Sequence, residues 1–98
     1  MEPRLGQVVV SIAGRDRGRR YIVTGIVDRT FVIVADGIYR RVSNPKKKNV
    51  RHLMMTRKAD GRIGSKILAG AGVTDEEVRE ALKEFEDGYC KRAGWPHE

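Results

Sequence analysis

Asp36-Gly37-Ile38-Tyr39-Arg40-Arg41-Val42-Ser43-Asn44-Pro45-Lys46-Lys47-Lys48-Asn49-Val50-Arg51-His52-Leu53 is the stretch on which the reading of this chain turns. Asp-Gly between apolar β-formers signals a hairpin, because glycine supplies the positive φ that a tight turn demands. Before it, Phe31-Val32-Ile33-Val34-Ala35 places five apolar residues in a row, which predicts a central strand covered on both faces, with Phe31 in the core. After it, the pattern predicts a fourth strand over 38–42, a lysine loop stiffened by Pro45, and a fifth strand over 50–55. Arg40, Arg41, Lys46, Lys47, Lys48 and Arg51 crowd into this stretch, and no acid follows Asp36 until Asp60. Such charge on a folded β surface calls for full solvation or a polyanion, and the usual polyanion is nucleic acid.

Working back toward the start, Gln7-Val8-Val9-Val10-Ser11-Ile12 and Tyr21-Ile22-Val23-Thr24-Gly25-Ile26-Val27 read as two further strands, with a bend at Gly25. Gly14-Arg15-Asp16-Arg17-Gly18 joins them as a tight exposed turn that splays its three charged side chains outward. Five short strands with tight connections suit a small, strongly bent barrel, since a flat sheet of this length leaves too much apolar surface wet. Residues 1–58 are read as that barrel.

Residues 59–98 form the second segment. Gly61, Gly64, Gly70 and Gly72 mark a flexible connector over 57–73, with one helical turn at 63–69. Thr74-Asp75-Glu76-Glu77 is a capping box, in which Thr74 accepts from the backbone three residues on and Glu77 reaches back. Val78, Ala81, Leu82, Phe85 and Tyr89 follow at helical spacing, so one amphipathic helix is predicted, ending at Gly88 or Gly94. Charge divides along the same line: residues 1–58 carry fourteen Lys and Arg against four acids, and residues 59–98 carry six against nine. A partner is therefore expected on the front half.

Several classes are disfavoured. Cys90 is the single cysteine, so no internal disulfide forms, and one thiol fits a reducing cytoplasm. No apolar run approaches the ~18 residues of a membrane span, and Met1-Glu2-Pro3-Arg4 does not open a signal peptide, so a cytoplasmic protein without membrane contact is expected. His52 and His97 are the two histidines, too few for a metal site. Ser11, Ser43 and Ser65 lie in no nucleophile motif, and no glycine loop carries the P-loop lysine. Neither enzyme activity, metal nor cofactor is expected.

The candidate nucleic-acid contacts are Arg15, Arg17, Arg19, Arg20, Arg40, Arg41, Lys46, Lys47, Lys48, Arg51 and His52. Charge runs are ordinarily solvated loops. Four arginines around one short turn, however, exceed what pairing with Asp16 absorbs, and the planar guanidinium fork suits phosphate. Arg40 and Arg41, as neighbours on a strand, point to opposite faces, so at most one faces the partner and the other packs its stem at the barrel rim or pairs with an acid such as Asp36. His52 reads more readily as a structural hydrogen-bonding group. Tyr21 and Tyr39 have the chemistry to stack on unpaired bases, although packing is the simpler use of each. Trp95 reads as a tail residue that docks loosely or meets another copy.

The first strand, the loop ending in Gly18 and the second strand together resemble a KOW motif, a short alternating run built around a required glycine. With Gly14-Arg15-Asp16-Arg17-Gly18, Phe31 to Gly37, Arg40-Arg41 and Asn49-Val50-Arg51-His52-Leu53, the chain resembles the archaeal and eukaryotic large-subunit ribosomal protein family numbered fourteen-e, and its small bacterial KOW-domain relatives. The likeness spans about Gly6 to Thr56, with Gly14, Gly18 and Gly37 as motif glycines. It implies an SH3-like barrel and binding to RNA, typically ribosomal RNA; the mostly β fold with one helix after the barrel is read from the residues themselves. The helix is the candidate contact for the ribosome or another protein. Transcription-elongation KOW barrels that bind proteins supply the alternative, a protein-interaction adaptor.

Overall fold

Strand β1 (Gln7–Ser11) is buried along its whole length and organises everything else. The computed structural model describes residues 3–93, with side chains through Phe85. Successive strand side chains point to opposite faces. Val8 and Val10 accordingly face one layer, with Ile22, Ile63, Val78, Ala81 and Phe85, while Val9 faces a second, with Tyr21, Val23, Val32, Val34 and Leu53. The sheet thus has a barrel-like inner core on one side and a helical cover on the other.

Around β1 lie β2 (Arg20–Ile26), β3 (Phe31–Ala35), β4 (Lys46–Asn49) and β5 (Leu53–Ala59), in the order β4-β3-β2-β1-β5, all neighbours antiparallel. The fold is a small, mostly β, SH3-like barrel, as the resemblance implies, with two helices where the sequence predicted one. Register slips between Val23 and Gly25 where β2 pairs with β3, which is the bend expected at Gly25.

Four sequence readings change. The fourth strand is not 38–42, which form a turn and its exit, but Lys46–Asn49, paired with Val34 to Phe31 of β3. The expected lysine loop is therefore a strand. The fifth strand starts later, because Val50–His52 form a 3-10 turn capped by the Asn49 side chain, which accepts from Arg51 N at 2.8 Å. Strand β3 alternates instead of being sealed on both faces: Val32 and Val34 are buried, whereas Phe31 and Ile33 are partly exposed. The Phe31 ring lies outside the core, under the Lys47 ammonium at 4.6 Å from its centroid.

The fourth change lies in the connector, where the helical turn expected at 63–69 starts earlier and forms a full helix, α1 (Gly61–Leu68). Asp60 caps it, accepting from Arg62 N at 2.9 Å and Ile63 N at 3.2 Å. Helix α2 (Asp75–Ala93) begins with the predicted capping box: Glu77 N donates to Thr74 Oγ1 at 3.1 Å, and Thr74 N to Glu77 Oε1 at 2.9 Å. Val78, Ala81 and Phe85 are buried against the sheet and Leu82 is half-buried, as the stripe predicts. The side chains of Tyr89 and Cys90, and all of Trp95 and His97, lie outside the described residues. Two further bonds tie α2 to the barrel: Val42 N donates to Asp75 Oδ1 at 2.7 Å, and Arg79 Nη1 to the Gly37 carbonyl at 2.7 Å. Among the described residues no helix is long and apolar enough to cross a membrane.

Candidate nucleic-acid interface

The loop between β1 and β2 is closed by its own backbone. Gly18 N donates to the Ser11 carbonyl at 2.7 Å, Arg19 N to that of Asp16 at 2.8 Å, and Ser11 N to that of Arg19 at 2.9 Å. Gly18, at φ +90°, makes this closure possible, since a side chain there would strain the left-handed backbone. Arg15 and Arg17 project into solvent. Asp16 does not; it is turned into the protein and 7% exposed.

Asp16 anchors a buried polar cluster. Tyr21 Oη donates to its Oδ2 at 2.6 Å, Ser11 Oγ to its Oδ1 at 2.8 Å, and Lys48 Nζ to Oδ1 at 3.0 Å, while Lys46 Nζ stands 3.4 Å from Oδ2. Burial by itself pushes the carboxyl up, but the bonds from Tyr21, Ser11 and Lys48 together with the Lys48 charge outweigh it, and hold Asp16 well below the usual carboxylate range. The same contact works in reverse on Tyr21: burial, then the bond to Asp16 and its charge, push the phenol up to about 12 against an opposing pull from Arg19. Asp16 thus pairs with two lysines of β4, not with an arginine of its own loop.

Lys48 is consequently a buried structural cation, its side chain 8% exposed, and does not share the solvent-facing position expected for the lysine cluster. Lys47 is exposed and Lys46 partly so. Arg40 and Arg41 fall in and just after the 36–40 turn, so strand alternation does not govern them. Asp36 spends its Oδ1 on Ile38 N and Arg40 N, at 2.9 and 2.8 Å, instead of on an arginine side chain. Arg51 and His52 are exposed on the 3-10 turn.

These segments converge. Lys46 and Lys48 reach the β1–β2 loop through Asp16; the His52 carbonyl accepts from Ile12 N at 2.9 Å, at the entrance to that loop; and the Arg19 guanidinium lies over the Tyr39 ring, 4.1 Å from its centroid. While Val50 N of the 3-10 turn donates to the Thr30 carbonyl at the far end of β3, at 2.7 Å, His52 brings that turn to the loop, and the loop, the start of β4 and the 36–40 turn share one end of the barrel. Between that end and α2 opens a cleft of about 320 Å³ lined by Gly18, Arg19, Arg20, Asp36, Ile38, Arg79, Leu82 and Lys83. Sequence reasoning missed Arg79 and Lys83. Their four-residue spacing puts them on one side of an otherwise acid-rich helix, and that was the available signal.

A small antiparallel barrel whose first strands are joined by a basic glycine loop is a KOW-type module. The chain is 34% identical over 84 residues to large ribosomal subunit protein eL14 of Pyrobaculum calidifontis, covering 81% of this chain and 70% of that protein. It is 35% identical over 85 residues to eL14 of Desulfurococcus amylolyticus, covering 82% and 76%, and 30% identical over 82 residues to that of Metallosphaera sedula, also covering 82% and 76%. The chain belongs to the eL14 family of large-subunit ribosomal proteins. No protein-family model matches it. Coverage of four-fifths of the chain exceeds what Gly6 to Thr56 can hold, so the likeness runs into the helical segment as well.

Proposed function

We propose that the chain is a non-enzymatic, cytoplasmic RNA-binding protein that works on the ribosome and grips ribosomal RNA by its phosphates. The gripping surface comprises Arg15, Arg17, Arg19, Arg20, Arg40, Arg41, Lys46, Lys47, Arg51 and His52, with Lys48 withdrawn into a supporting role. One observation carries this reading: the only acid of the β1–β2 loop is turned inward onto Lys48, so the loop presents Arg15 and Arg17 to solvent without a neighbouring carboxylate. Phosphate contacts of this kind position an RNA without specifying its sequence. Family membership does not favour the alternative, a protein-interaction adaptor.

The test is the salt dependence of binding to structured RNA. Replacing Arg15, Arg17 and Lys47 with alanine leaves the described core untouched, and the slope of log K against log salt becomes shallower by roughly 0.7–0.9 for every phosphate no longer neutralised. Affinity falls by a similar factor across RNA sequences. Lys48→Ala, by contrast, lowers stability first. An unchanged slope in the triple variant refutes the assignment of the surface.

A further inference from the structure

Tyr39 is 70% exposed although it is a large aromatic side chain on a folded protein, and Ile38 beside it is 60% exposed. The Arg19 guanidinium covers one face of the Tyr39 ring at 4.1 Å from the centroid. That stack fixes the ring's orientation and leaves the opposite face to solvent. Arg19 also lines the cleft beneath, where Arg20, Arg79 and Lys83 outnumber the one acid, Asp36, beside the apolar Ile38 and Leu82. Arg79 is held there by its bond to the Gly37 carbonyl at 2.7 Å. Gly37 itself admits no side chain, since a Cβ would come within 2.6 Å of the Asp75 carbonyl, so the turn bearing Tyr39 is seated directly on α2.

A fixed, open aromatic face beside a pocket of cations matches one chemistry well: a base stacked on the ring with a phosphate in the pocket. A fully paired duplex offers phosphates but keeps its base faces covered. We propose that Tyr39 stacks an unpaired nucleobase of the bound RNA, while the cleft between the barrel and α2 holds an adjoining phosphate through Arg79 and Lys83. This rests on the RNA-binding reading above and adds to it a preference for bulged or looped RNA and a direct part for α2.

The experiment uses the full chain and two RNAs, a perfect duplex and the same duplex with a single added bulged 2-aminopurine, whose fluorescence is quenched on stacking. The bulged RNA is expected to bind about 5- to 150-fold more tightly, the range of one base–aromatic stack, with added quenching. Tyr39→Ala abolishes both the preference and the quenching, and Tyr39→Phe keeps both, because the ring and not the hydroxyl does the stacking. Lys83→Gln weakens both RNAs alike and makes the salt slope shallower. Equal affinity for the two RNAs, or a preference that survives Tyr39→Ala, overturns the inference while leaving phosphate binding intact. Failure to bind either RNA removes the RNA-binding reading itself, and this inference with it.

Discussion

Asp16→Ala is the substitution on which the internal logic of this fold can be tested most sharply. It takes the counter-ion from Lys48, whose side chain is 8% exposed, and the acceptor from the buried Tyr21 hydroxyl. Ser11 keeps the Ala13 carbonyl at 3.1 Å, and Lys48 keeps only the neutral Ser11 Oγ at 3.2 Å. Breaking one side of a buried pair costs about 3–5 kcal/mol, mostly through the stranded charge. With a urea m-value of ~1–3 kcal/mol/M, the unfolding midpoint falls by at least about 1 M. Lys48→Met removes the charge instead and leaves Asp16 with Tyr21, Ser11 and Lys46, so it costs less. Adding Lys48→Met to Asp16→Ala is therefore expected to restore part of the stability, with a coupling within the ~0.5–3 kcal/mol seen for residues in contact. The pH dependence has a fixed sign. A carboxyl whose folded pKa lies below its ordinary 3.8 contributes its full stabilisation above that value and loses it as pH falls toward the folded one. Acid destabilisation below about pH 4 is accordingly shallower in Lys48→Met. Additive single and double variants, or an Asp16→Ala cost under ~1 kcal/mol, would refute the argument.

Gly18→Val is expected to lower stability by ~1–2 kcal/mol through backbone strain alone, because φ is +90° while a Cβ there meets nothing within 4 Å; an unchanged melting temperature would show the loop is not built as described. Phe85→Ala, at a site 3% exposed, is expected to cost ~3–5 kcal/mol and the half-buried Leu82→Ala less, by urea unfolding. Residues 1–58 alone are expected to be less stable than the full chain, since Val8, Val10 and Ile22 lose their cover, and equal stability would count against the shared core.

Strands β1 to β3 were legible because β-branched residues fill them and glycine and aspartate punctuate them. Strand β4 was not, because lysine and asparagine are poor strand formers; it exists through pairing of Lys46 to Asn49 with Val34 to Phe31, an arrangement no local pattern encodes. Helix α1 was obscured by Gly61 and Gly64, which weaken helix propensity. Gly64 is there for packing, as a Cβ would lie 2.8 Å from the Leu5 carbonyl. The missed signal was Asp60 as a cap followed by Ile63 and Ile67 at helical spacing.

The candidate site shows the same division between local and tertiary information. That a basic surface exists could be read from charge counts, but which cations belong to it could not. In strand alternation, Lys47 and Lys48 must part company: one faces solvent over Phe31, and the other enters the protein. An inward lysine needs a counter-ion, and Asp16 is the only acid between Glu2 and Asp28. A single carboxylate flanked by arginines looks like local neutralisation when read along the chain. In the fold it serves a lysine thirty-two residues away, and the outward direction of Arg15 and Arg17 follows from that inward turn. The core pair and the exposed arginines are thus two consequences of one side-chain choice, which is why Asp16→Ala is expected to disturb both stability and the loop that presents the cations.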